Sequence, residues 1–114
     1  MGANMVTAKN IIPSKFAEKA ITTQYTVPSK MMTVIDKFTV TLVIAGPVTL
    51  QIWLVSSGGA AATSNLIVNR NLVTGECYQC SELVGHVLGA SGFIVTNAGA
   101  LNALVIRASG REIT

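Results

Sequence analysis

The chain offers few side chains for chemistry. Two cysteines, one histidine and five carboxylates are the groups best suited to metal binding or proton transfer. Cys77 and Cys80 form a single C-x-x-C, and His86 follows shortly after. A structural zinc site takes four Cys or His ligands, usually as two pairs. Cys77, Cys80 and His86 supply three, which leaves the tetrahedron open. A redox C-x-x-C belongs at the start of a helix in a βαβ unit, and no such pattern surrounds this one. If residues 77–80 are extended, the two side chains point to opposite faces, and a mutual disulfide is geometrically poor. The preferred reading is two free thiols packed as small hydrophobes. The three-ligand zinc site is left as the alternative.

His86 alone makes no triad, because a serine nucleophile also needs an orienting carboxylate. Glu82 lies one helical turn before it if that segment is helical, which reads as a local polar contact. The scattered acids include no pair spaced for glycosidase chemistry. No catalytic residue and no cofactor is expected, and the chain is not expected to be an enzyme.

The segment "LQIWLVSSGGAAATSNLIV", residues 50–68, poses a second question. Gly58 and Gly59 interrupt an apolar run, as a phosphate-cradling loop would. The segment lacks the Gly-Lys-Ser/Thr of a P-loop and the G-x-G-x-x-G of a dinucleotide site, and no helix pattern follows to bind an anion at its N-terminus. It reads as a hairpin tip. Its small residues permit unusual backbone angles and close approach by a neighbouring subunit.

The elements that must hold these residues alternate with period two. "AITTQYTV" places Ile21, Thr23, Tyr25 and Val27 on one face. In "MTVIDKFTVTLVI", Met32, Val34, Asp36, Phe38, Val40 and Leu42 share a face, with Thr33, Ile35, Lys37, Thr39 and Thr41 opposite. Asp36 and Ile35 break the pattern, so either a bulge or a strand buried on both sides is expected there. "VTLQIWLV" sets Val48, Leu50, Ile52 and Leu54 against Thr49, Gln51, Trp53 and Val55. Ala45-Gly46-Pro47, Thr74-Gly75-Glu76 and Asn97-Ala98-Gly99 mark turns. "SELVGHVLG" reads as one short helix or loop near 81–89, with Ser81 as cap and Gly89 as stop. Seven or eight short strands separated by turn residues indicate an all-β antiparallel sandwich or barrel. Residues 1–20, which mix lysines with Ile11, Ile12 and Phe16 around Pro13, are expected to form an N-terminal arm. Residues 21–114 are expected to form the sandwich domain.

Only 11% of the residues are charged, against about 25% in an ordinary domain. Such a surface is covered by Thr, Ser, Asn and Ala or by partners, which points to oligomerisation. The net charge of +3 is concentrated in Lys9, Lys15, Lys19, Lys30 and Lys37. Without clustered arginines or interleaved aromatics these lysines make a poor nucleic-acid footprint. Residues 38–69 are uncharged, yet Thr and Gln alternate through them and Gly46-Pro47 splits them, so no membrane span is expected. The start "MGANMVTAK" lacks the regions of a signal peptide, and Val6 stands where a myristoylation motif has Ser or Thr.

"TTQYTVPSKMMTVIDKFTVT" followed by "PVTLQIWLVSSGGAAATSNLIV" resembles small virion proteins of tailed bacteriophages. There a Tyr-Thr-Val-Pro step precedes an alternating strand, and a Leu-Val-x-Ser-Gly-Gly strand end leads into an Ala/Ser-rich loop. "LVTGECYQCSELVGHVLGASGFIV" and "ALVIRASGREI" are similar to later portions of that group. The likeness spans about residues 21–114; Cys77, Cys80 and Gly92-Phe93 depart from it. It implies a jelly-roll-like sandwich in an oligomeric particle component, of the capsid decoration or cement type. It also implies a virion location after synthesis in the host cytoplasm, with copies of itself, the major capsid protein or other virion proteins as partners. The expected assembly interface is Lys9, Ile11, Ile12, Lys15, Phe16 and Lys19 of the arm, with Gly58 and Gly59 of the loop. Tail, neck or fibre-base components are the alternative. A carbohydrate-binding sandwich is a further one, with Trp53 and Tyr78 as rim aromatics.

Overall fold

The computed structural model describes residues 5–114; residues 1–4 of the expected arm lie outside the described residues. Alternating β-rich segments give β1 (Val6–Phe16), β2 (Thr22–Thr26), β3 (Met32–Leu42), β4 (Val48–Val55) and β5 (Leu66–Leu72). They continue with β6 (Cys77–Tyr78), β7 (Val87–Leu88), β8 (Phe93–Ala98) and β9 (Leu104–Ile113). Every pairing is antiparallel. One sheet runs β1-β9-β3-β6, with β7 also on β3, and the other runs β2-β8-β4-β5. β6 and β7 lie along β3 at two separate stretches, Val40–Thr41 and Thr33–Val34, so they are two halves of one interrupted strand. With those halves counted as one, eight strands wind between two sheets. The chain changes sheet at every step except β4 to β5 and across the β6–β7 interruption. This is the jelly-roll order, and the expected all-β antiparallel sandwich is the observed architecture.

The apolar faces meet between the sheets. Ile35, Phe38, Leu50, Ile52, Ile94 and Ile106 are each 0% exposed there. On β3 the register slips between Ile35 and Lys37 opposite Gly110 and Ser109. Asp36 is the extra residue, and the bulge resets the phase. Thr33 and Ile35 point inward before it, and Phe38, Val40 and Leu42 after it. A second slip, between Thr23 and Tyr25, leaves Tyr25 and Val27 buried while Ile21 is exposed, against its expected place on their face.

Residues 6–16 of the stretch expected as an arm form β1 and pair along β9. Ile11 and Ile12 enter the core, because β1 supplies the edge strand that the jelly roll requires. Of the short helix or loop expected near 81–89, the structure has the loop: a chain of turns leading into β7, with Leu83 N–H donating to Cys80 O and His86 N–H to Leu83 O. Left-handed residues bound it, Cys80 at φ 42° and Gly85 at φ 88°. Too few residues lie between them to nucleate a helix. Leu83, fully buried, joins the main core.

Candidate functional site

The three residues of the alternative zinc site are held apart. Cys77 pairs with Thr41 near the end of β3, whereas the carbonyl of His86 accepts from the Ile35 N–H near its start. Along a strand rising ~3.3 Å per residue, that places the two roughly 20 Å apart. Cys77 is exposed and Cys80 is buried. Burial pushes the Cys80 thiol up to about 12, so it packs as a neutral hydrophobe. Among the described residues, no group of three His, Cys, Asp or Glu side chains is placed to hold a metal.

The rim aromatics of the carbohydrate-binding alternative are also occupied. Trp53 is 6% exposed and sits with Val55 and Val95 in a second apolar cluster, on the sheet face away from the main core. Ala61 and Leu66 cover that cluster, so the small-residue loop folds back over the strand instead of standing free as a tip. Asn65 fastens it: its side chain accepts from Ala62 N–H at 2.9 Å and donates to Ala60 O at 2.9 Å. Gly58 supplies the left-handed turn at φ 79°. A Cβ on Gly59 would lie 3.1 Å from Val55 Cγ1, so the glycine lets the loop lie close. The Tyr78 ring carries the Arg70 guanidinium at 4.3 Å from its centroid. Arg70 belongs to β5 in one sheet and Tyr78 to β6 in the other, so the stack closes that side of the sandwich. Neither aromatic presents a free face to a sugar.

The expected interface residues fall into separate places. Ile11 and Ile12, read as anchors for a neighbour, are 4% and 1% exposed in the chain's own core. Phe16 is exposed at the Leu104 end of the molecule, where Lys15 pairs with Glu18 at 2.9 Å. Lys19 is also exposed there, and its carbonyl accepts from Asn97 Nδ2. Gly58 and Gly59 lie at the opposite end, beyond the Val55–Phe93 pair.

Lys9 reaches a carboxylate that no motif had singled out. Glu112, on β9, is 5% exposed. Tyr25 Oη donates to its Oε2 at 2.5 Å, and Lys9 Nζ lies 3.3 Å from the same oxygen. Thr33 Oγ1 is 2.8 Å from Tyr25 Oη and completes the cluster. Four strands and both sheets thus meet at one carboxylate. Burial, then the hydrogen bond to Glu112, pushes the Tyr25 phenol up to about 12. Its sequence signal was the alternation Leu104, Ile106, Ala108, Gly110, Glu112, which turns the last residue inward.

Large apolar side chains remain exposed at both ends of a body measuring 53 × 25 × 20 Å. At one end, Val43, Ile44, Val73 and Leu101 project from three loops. Hydrogen bonds join those loops, from Val43 N–H to Ala103 O and from Gly46 N–H to Thr74 Oγ1. At the other end, Val6, Ile113 and Met32 are register partners across three strands and share the outer face. Val34 and its partner Val87 extend that face.

No protein-family model matches the chain, and no curated protein matches it. Among solved structures, it is similar to chains in structures of infectious bursal disease virus. For the Gx strain the TM-score is 0.40 at 12% identity, covering 98% of this chain and 32% of that one. For the Gt strain the TM-score is 0.37 at 12% identity, covering 96% and 32%. This chain therefore spans about a third of the length of the chains it matches.

Proposed function

We propose that this chain is a non-enzymatic structural protein of a phage virion, a decoration or cement protein that stabilises the shell through contacts with copies of itself and with the major capsid protein. The observation that carries this reading is the placement of exposed apolar side chains. Val43, Ile44, Val73 and Leu101 crowd one end, and Val6, Met32 and Val87 lie toward the other. Water disfavours such patches at ~25 cal/mol per Å², and contact with a partner removes that cost. All five acids are engaged: Glu112, Glu18, Glu76 and Asp36 with cations, and Glu82 with Tyr78. The resemblance of residues 21–114 to tailed-phage virion proteins supplies the setting. Many equivalent weak contacts on a shell would then add to a stable attachment.

The test is sedimentation of the purified chain with isolated phage shells and with isolated tails. Attachment to shells, weakened by Val43→Ser with Leu101→Ser, supports the reading. Attachment to tails alone moves the protein to the tail or neck. Indifference to both overturns the virion role.

A further inference from the structure

Four carboxylates are engaged by cations: Glu112 by Lys9, Glu18 by Lys15, Glu76 by Arg70 and Asp36 by Arg111. The fifth, Glu82, accepts from the Tyr78 hydroxyl. Lys19, Lys30, Lys37 and Arg107 therefore have no carboxylate partner among the described residues. Lys19 lies in the link between β1 and β2, and Lys30 in the turn before β3. Lys37 and Arg107 instead share one surface, the outward face of β3 and β9.

On β9 the buried Leu104, Ile106, Ala108 and Gly110 alternate with Val105, Arg107, Ser109 and Arg111, which face out. Lys37 is the register partner of Ser109. Arg107 and Arg111 stand two residues to either side of Ser109, so they are diagonal neighbours of Lys37, within reach of long side chains. The bulge residue Asp36 brings an acid to this face, and its carboxylate takes Arg111 Nε at 3.0 Å and Nη2 at 2.9 Å. Three cations against that acid leave the centre of the face positive. Donors remain free there. The Arg107 side chain gives one hydrogen bond, from Nη1 to Ser14 Oγ on β1 at 3.3 Å, and Lys37 Nζ gives none among the described residues. An arginine carries five N–H donors and a lysine three.

The flanks say what kind of anion fits. Along the same face, Val105 and its partner Phe16 lie to one side of the cations, and Val34, Ile113, Val6 and Met32 to the other. A phosphate backbone would leave those apolar side chains in water, whereas a protein surface covers them together with the charges. We infer that the outer face of β3 and β9, centred on Lys37, Arg107 and Arg111, is a docking surface for an acidic patch bordered by apolar residues on another protein. Naming that protein as the shell rests on the virion role proposed above.

Binding of a fluorescein-labelled oligo-glutamate peptide, followed by anisotropy, provides the test, with oligothymidylate as the second probe. The full-length chain should bind oligo-glutamate, and amide shifts of the isotope-labelled chain should centre on Lys37, Thr39, Arg107 and Ser109. Lys37→Glu with Arg107→Glu should weaken binding about tenfold. Lys37→Gln with Arg107→Gln, which adds no repulsion, should weaken it in the same direction and guards against misfolding of the first variant. Lys19→Glu with Lys30→Glu makes the same change in net charge elsewhere and should alter binding by less than about twofold. Equal loss in both charge-reversed variants, absence of binding, or tighter binding of oligothymidylate at this face overturns the inference. Sedimentation with shells separates the two ideas. Shell attachment unchanged by Lys37→Glu with Arg107→Glu leaves the virion role standing and removes this face from it, which overturns the inference. Oligo-glutamate binding at this face by a chain that ignores shells and tails supports the docking surface and removes the virion role.

Discussion

Replacing Tyr25 with Phe deletes one hydroxyl from the cluster around Glu112 and leaves the ring in place. The lost bond is a 2.5 Å contact to a carboxylate that is 5% exposed. Hydrogen bonds to charged groups contribute about 1.5–3 kcal/mol. Lys9 remains on Glu112, so the expected cost is about 2 kcal/mol at pH 7. The same hydroxyl sets a pH dependence of known sign. Its folded pKa is raised from 10.0 to about 12, so the folded state holds the proton more tightly than the unfolded chain. The stability this supplies is complete below pH 10 and is lost as pH rises through 12. A phenol raised that far contributes about 3 kcal/mol in full, of which about 2 kcal/mol is gone by pH 12. Tyr78 and Cys80, also raised to about 12, are present in both proteins and cancel in the comparison. Urea unfolding followed by the fluorescence of the buried Trp53 should therefore give a gap near 2 kcal/mol from pH 7 to 9 that closes toward pH 12. A gap that stays flat across that range, or a Tyr25→Phe protein as stable as the parent at pH 7, refutes the reasoning.

Gly110→Ala should lower stability by about 2–3 kcal/mol in chemical denaturation, because its Cβ would run into the Val34 carbonyl across the β3 bulge. Gly89→Ala, whose Cβ would meet nothing within 4 Å, is the neutral control. Asn65→Ala removes two hydrogen bonds from the loop over Trp53. It should cost about 1–2 kcal/mol and shift Trp53 emission to the red, with greater quenching by iodide. In the native protein a thiol reagent should label Cys77 at once and Cys80 only at the rate of unfolding, since Cys80 is 0% exposed and its thiol is held neutral. Equal labelling of both would contradict the placement of Cys80.

Some of this protein is a property of its sequence. Period-two alternation is local, because each side chain's face follows from its neighbours, so β4 could be assigned in full: Val48, Leu50 and Ile52 to the main core, Trp53 and Val55 to the other side. The defect at Asp36 was legible for the same reason, and the count of strands with their turn residues sufficed for an all-β sandwich or barrel; that the two sheets pack as a sandwich is seen in the fold. Other features depend on groups distant in the chain. Whether β1 is an arm or an edge strand is decided by β9, about a hundred residues away, which offers it a hydrogen-bonding edge and the bare Gly110. Cys77 and His86 are near in sequence, yet β3 runs between their positions and separates them. Glu112 is charged, so composition assigns it to the surface. Only the folding of β2 against β9 brings the Tyr25 hydroxyl to it, and only that partner makes its burial tolerable. Local alternation fixes which way a residue faces, but what it meets there depends on contacts that close only when the two sheets come together.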